Sequence, residues 1–251
     1  MELKRKPFQG VFNIIRFNRH FYLTAGLVIL FLIFIKRYFP ETFQNYVVGI
    51  ACLACLTIAI SLIVSFYIYD ISDLYELNWF SEADNKEILN INAGFDETSG
   101  IIETKFPHSK LTVCDFYNPE KHTEISIKRA RKAYLPLENT IQISTNKLPF
   151  SDNSFDYALA ILSAHEIRDE KERIIFFKEI RRVTKPAGQI LITEHLRDLN
   201  NFMAYTIGFF HFHSKSSWLR VFEQASLIVN HETKTTPFIT TFILQKNGDA
   251  S

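Results

Sequence analysis

Five short stretches of this sequence hold side chains able to move a proton or grip a ligand. His165 and Glu166 stand together in "SAHEIR", and Glu194 and His195 in "TEHLRD". An imidazole beside a carboxylate suits proton transfer near neutral pH, because its ordinary pKa lies there and the neighbour tunes it. His165, Glu166 and His195 are therefore the catalytic candidates. The blander reading of the first pair is a helix start that only organises a loop. For Arg197 and Asp198, just beyond His195, it is a structural ion pair. "FFHFHSKS" adds His211 and His213 at the spacing that would put both on one face of a strand. No recognised ligand spacing joins these histidines, so the site is expected without a metal. Asp115 closes "KLTVCD", and "NINAGFD" carries Asn90, Asn92, Gly94 and Asp96.

These residues fall at the ends of short apolar runs. "EILNI", "KLTVC", "TIQI", "FDYALAIL", "QILIT" and "TTFILQK" read as strands. Between them lie helical patterns. "DETSGIIETKF" starts at Asp96 or Thr98, and "PEKHTEISIKRARKAY" opens with proline and acid and closes with base. "DEKERIIFFKEIRRVT" sets Ile174, Phe177, Ile180 and Val183 on one face, and "SKSSWLRVFEQA" has a serine cap. Alternating strands and helices predict an α/β fold, doubly wound around a mainly parallel sheet. Ligands of such sheets bind beyond the carboxyl ends of the strands, where the candidates stand.

An acid ending the second strand accepts the two hydroxyls of a cofactor ribose. Asp115 has that place. The preceding turn offers Asp96 and Glu97 where a dinucleotide puts its pyrophosphate, and two carboxylates there repel a dianion. A cationic cofactor without phosphate avoids the conflict, and S-adenosylmethionine is one. Residues 88–195 resemble a class I S-adenosylmethionine-dependent methyltransferase domain, in its membrane-anchored bacterial form. "LPFSDNSFDYALAILSAHE" and "FFKEIRRVTKPAGQILITEH" carry the most specific part of the likeness. Asn90 replaces the family's leading acid, Asn92 its first loop glycine and Asp96 its last, with Gly94 kept. Asn is the non-glycine residue best suited to a positive φ, so Asn92 can hold such a turn. The resemblance implies a Rossmann-like sheet of seven strands. It also implies a cofactor site of Asn90, Asn92, Gly94, Asp96, Asp115 and Phe116, with Ser144 and Thr145 where the family has an adenine-contacting acid.

The chain has 251 residues and a net charge of +1, which gives no general attraction to nucleic acid. Its first 69 residues are strongly apolar. Residues 46–69 run without a charge and span about 36 Å as a helix. Residues 21–35 span about 22 Å, extended to residue 38 by Lys36 and Arg37 at the interface. A signal peptide would end in small residues rather than "IFIKRYFP". The expected organisation is a basic cytoplasmic segment (1–20), two transmembrane helices (21–38 and 46–69), a juxtamembrane connector (70–84) and a methyltransferase-like domain (85–251). Lys4, Arg5, Lys6, Arg16 and Arg19 outweigh Glu2, which predicts that both ends of a multi-pass protein of the bacterial inner membrane face the cytoplasm. Cys52 and Cys55 imitate a redox pair but sit in an apolar helix, and Cys114 reads as core. The partners expected are the lipid bilayer and a small-molecule or lipid acceptor; nothing in the sequence speaks to oligomeric state. "NFMAYTIGFFHF" reads as a lipid-sized pocket lining or a bilayer contact, or else as core. The expected function is methyl transfer to a hydrophobic or membrane-associated acceptor. The rival is a non-catalytic module on the same fold that binds the cofactor or a partner.

Overall fold

A computed structural model describes residues 5–248; Glu2 and Lys4 lie outside them. The chain opens with a short amphipathic helix, α1 (Gln9–Phe17), followed by α2 (Arg19–Ile35) and a 3-10 turn, Lys36–Tyr38. Pro40 then stands at the start of α3 (Glu41–Phe66), where its fixed φ suits a helix entry. A wide helical turn, Tyr67–Ile71, and a 3-10 turn, Asp73–Glu76, carry the chain off α3. Both long helices are apolar and long enough to cross a membrane, and their surfaces are left almost bare by the rest of the chain.

The remainder alternates as the pattern predicts: β1 (Glu87–Asn92), α4 (Ser99–Lys105), β2 (Lys110–Asp115), α5 (Ile125–Ala133), β3 (Ile141–Gln142), β4 (Phe155–Ile161), α6 (Glu170–Val183), β5 (Thr184–His195), α7 (Leu199–Tyr205), α8 (Lys215–Gln224), β6 (Leu227–Thr236) and β7 (Ile239–Lys246). The sheet runs β3-β2-β1-β4-β5-β7-β6. The first five strands pair in parallel, and β7 is antiparallel to both β5 and β6. Order reverses between β1 and β4, so the crevice for a ligand lies over their carboxyl ends.

Two elements depart from the sequence reading. The helix expected from Pro119 begins only at Ile125. Asn118 accepts the Glu120 amide and donates its own amide to His122 Nδ1, and this local turn outcompetes the helix. The strand β6, hidden in the polar run "NHETKTT", forms because β7 offers it a ladder.

The core fills both faces of the sheet. On one face Phe176, Phe177 and Ile180 of α6 meet Trp218 and Phe222 of α8. On the other, Leu77, Phe80 and Ala83 pack with Ile88, Ile102 and Phe106. Residues 70–84 thus join the helical hairpin to the sheet as a packed strap. Burying a side chain of this kind contributes roughly 1.5–3 kcal/mol, enough to hold the hairpin's exit rigidly against the sheet.

Candidate active site

The turn after β1 is built from its own polar side chains. Asn92 Oδ1 accepts the Gly94 amide at 2.9 Å, and Gly94 adopts φ +96°, a conformation that glycine takes without penalty. The positive φ falls on Gly94 itself. Asp96 Oδ1 accepts the amides of Thr98 and Ser99 at 3.0 and 2.9 Å and so caps α4. Asn90 donates to the Thr98 and Ser99 hydroxyls from a fully buried position. Within this turn two buried acceptors lack a partner among the described residues, Asn90 Oδ1 and Asp96 Oδ2. Glu97 receives Arg5 and the Tyr75 hydroxyl, each at 2.8 Å.

Asp115 ends β2 with 1% of its surface exposed. Its Oδ1 accepts the Tyr117 amide at 2.7 Å, and its Oδ2 is taken by the Arg131 guanidinium from α5. Arg131 also lies over the Tyr117 ring and against Gly94, where a Cβ would stand 2.8 Å from it. Phe116, Ser144 and Thr145 line a cavity of about 610 Å³ on one side of this ion pair.

His165 sits in a 3-10 turn after β4, Ala164–Glu166. The wholly buried Glu194 at the end of β5 accepts its backbone amide at 3.1 Å and its Nδ1 at 2.6 Å. Glu166 lies 3.4 Å from its Nε2. Burial lowers the pKa of His165, but Glu194 and Glu166 outweigh it and raise it to about 10. His195 is the opposite case. Burial pushes it down to about 3, so its ring is neutral. Its Nδ1 stands 2.9 Å from Asn201 Oδ1, whose amide group donates to Asp198 and the Phe238 carbonyl. That network puts the proton on Nδ1 and leaves Nε2 to accept the Tyr69 hydroxyl at 2.8 Å. Phe212 stacks on the ring at 4.6 Å.

His211 and His213 do not share a face. His211 ends the 3-10 turn Thr206–His211 and meets His165 with ring centroids 5.1 Å apart. His213 turns the other way, to Arg173 at 3.0 Å and the Trp218 ring. Arg197 donates to the Phe210 and Phe212 carbonyls while Asp198 caps α7, so the two residues serve different partners.

A cavity of about 840 Å³ unites the β1 turn with both histidine clusters. Asn92, Ala93 and Thr98 form one end, His165, Glu166 and His195 another, and Phe17, Phe21 and Phe95 much of the apolar wall. Its cover is α1. Asp70 accepts the Gly10 and Val11 amides at 2.7 and 2.8 Å, Arg129 donates to the Phe17 carbonyl, and Tyr134 donates to Asn13. The sequence reading assigns no place in the site to Tyr69, Arg131 or α1. Tyr69 and Asp70 end an uncharged run, where interfacial anchoring explains a tyrosine well enough. The signal available for α1 was its apolar face at Phe17 and Ile14.

Residues 102–192 match the family model described as methyltransferase domain. An uncharacterized protein of Escherichia coli strain K12, YafE, is 28% identical over 109 residues, or 37% of this chain and 47% of YafE. The chain thus matches about half the length of this curated relative. A SAM-dependent methyltransferase from Aquifex aeolicus superposes with a TM-score of 0.55 at 16% identity, covering 75% of this chain and 97% of that one. A TehB-like SAM-dependent methyltransferase from Corynebacterium glutamicum gives 0.50 at 14% identity, over 71% and 89%. At these identities the likeness shows a shared fold.

Proposed function

We propose that this chain carries a class I S-adenosylmethionine-dependent methyltransferase domain and methylates a hydrophobic acceptor drawn from the membrane. The observation that carries this reading is the cavity beneath α1. Its wall includes Phe17 and Phe21, where α1 passes into the first long apolar helix, so the site adjoins the place where the helical hairpin leaves the domain. Exposed Leu199, Phe202, Met203, Ile207 and Phe210 continue an apolar surface beside it, suited to the bilayer. On this reading the hairpin spans the membrane, and the domain faces the cytoplasm.

The turn suits the cofactor. Asn90 Oδ1 and Asp96 Oδ2 are buried acceptors without donors, a shortage that a cationic ligand relieves and a phosphate worsens. When bound, S-adenosylmethionine supplies a methyl group on a positively charged sulfur. Asn92, Gly94 and Asp96 hold its amino-acid end, Asp115 its ribose, and Phe116, Ser144 and Thr145 its adenine. His165 and Glu166 line the end of the cavity where the acceptor's polar group rests. Tyr69, its hydroxyl held by the neutral Nε2 of His195, lines the same cavity and is placed to accept a hydrogen bond from the acceptor's polar group. The cover α1 and the strap behind it keep water from the site.

Full-length protein in lipid nanodiscs, given methyl-labelled S-adenosylmethionine and a membrane lipid extract, tests this. Label should partition with the organic phase. Label confined to the aqueous phase or to protein overturns the lipid acceptor. One observation favours the rival, a binding module without turnover: Arg131 already occupies the carboxylate meant for the ribose. Calorimetric binding with no methyl released to any fraction supports that rival.

A further inference from the structure

His165, Glu166 and His211 converge from two separate turns. His165 Nε2 and His211 Nε2 each lie 3.4 Å from Glu166 Oε1, and the three ligand atoms all fall within 4.8 Å of one another. These separations are long for N–H···O hydrogen bonds, which cluster near about 2.9 Å. They match two ligands on one tetrahedral ion, which stand about 3.3 Å apart when each bond is about 2.0–2.1 Å. We infer that His165, Glu166 and His211 form a site for a divalent first-row metal ion of zinc type in the wall of the large cavity.

The surroundings are those of a ligand site. Glu194 takes His165 Nδ1 at 2.6 Å, so the donor nitrogen facing the cluster is Nε2. A carboxylate behind a ligating imidazole fixes its tautomer and strengthens it as a ligand. Glu124 lies farther from the Nδ1 of His211, at 3.4 Å, without a hydrogen bond between them. Two nitrogens and one oxygen leave a coordination position open toward the cavity, the arrangement of a catalytic rather than a structural site. The ion takes the place of the proton on His165 Nε2, which is released to solvent. Arg168 Nη2 stands 2.8 Å from His211 Nε2 and 3.9 Å from Glu166 Oε2, so it must move before an ion can bind. Its side chain is 42% exposed, so it yields its place by turning outward. No ligand spacing announces such a site in the sequence, because its ligands come together only through the turn after α7. The inference is independent of the acceptor and of the cofactor.

The test uses full-length protein in detergent, stripped with a chelator and titrated with Zn²⁺ or Co²⁺. One ion per chain should bind, and Co²⁺ should give the intense visible bands of tetrahedral coordination. His211→Ala and Glu166→Gln should each weaken binding about a hundredfold or more and abolish the bands. His231→Ala, on the exposed face of β6, should change neither. Circular dichroism and S-adenosylmethionine calorimetry on the same samples report whether each variant is folded, and they separate failure of this site from failure of the methyltransferase reading. Absence of tight Zn²⁺ binding to the folded protein overturns the site. So does binding that His211→Ala and Glu166→Gln both leave unchanged.

Discussion

Asp115 and Arg131 set the terms for cofactor binding at the level of single side chains. The carboxylate at the end of β2 is the proposed ribose acceptor, and its Oδ2 is held by a guanidinium. Asp115→Ala should weaken S-adenosylmethionine binding by about 1.5–3 kcal/mol, the scale of a lost charged hydrogen bond. Arg131→Ala should do the reverse and tighten it, because the ribose no longer competes with the ion pair. Calorimetry decides both, and unchanged affinity in a folded Asp115→Ala protein removes this residue from the site. The buried histidines supply a second prediction. Burial lowers His195 and His213 to about 3, so they are neutral when folded and charged when unfolded below about pH 6.5. The unfolded chain then binds more protons, and their contribution is lost as pH falls from about 6 toward 3. In the metal-free protein His165 is raised to about 10, so its contribution is complete below about 6.5 and lost as pH rises through 10. The melting temperature should therefore peak near neutrality, and His195→Asn should flatten the acid side. An acid limb identical in His195→Asn refutes the assignment.

At the scale of elements, the cover α1 is held by close backbone approach and by a borrowed cap. Its N-terminal amides at Gly10 and Val11 meet Asp70, a carboxylate well placed at a helix start. A Cβ on Gly10 would lie 2.4 Å from Tyr69 Cβ, so the helix cannot keep its seat with any larger residue there. Gly10→Ala and Asp70→Ala should loosen α1, speed proteolytic cleavage within residues 5–18 about tenfold, and raise KM for the acceptor. S-adenosylmethionine affinity should move much less. Cleavage at the parental rate in both variants would mean that α1 is not held this way. The strands and helices around the site were legible because their apolar residues recur at spacings of two or of three and four, as at Phe177, Ile180 and Val183 in α6. The turn after β1 and the acid after β2 were legible for the same reason, being local. The parts that escaped are long-range. Arg131 reaches Asp115 from another element, His211 meets His165 across a turn, and α1 closes a cavity with residues sixty positions downstream. No short window of sequence contains such partners. Nor does polarity alone reveal β6, whose partner strand decides it.

For the molecule as a whole, the decisive fact is that the hairpin begins and ends at the same domain. Arg129 donates to the Phe17 carbonyl at 2.7 Å, and Tyr134 to Asn13 at 3.0 Å, so α1 is docked on α5 before the first long helix departs. Ile68 and Leu74 are fully buried where the second returns. An even number of crossings is the arrangement that lets α1 and the sheet stay in contact. The basic residues then choose the side. Arg5, Lys6, Arg16 and Arg19 precede the first long helix, whereas Lys36 and Arg37 lie at the turn between the two. On the proposed topology the larger group stays in the cytoplasm, and a cytoplasmic α1 requires the same of the sheet docked on it. Protease added outside intact cells should leave residues 85–251 uncut, and should cut them once the membrane is opened. The turn at residues 36–40 should be reached from the outer side. Digestion of the domain in unbroken cells would reverse the orientation. Labelling of residues 36–40 and of the domain from one side would mean that the hairpin lies along the membrane rather than across it.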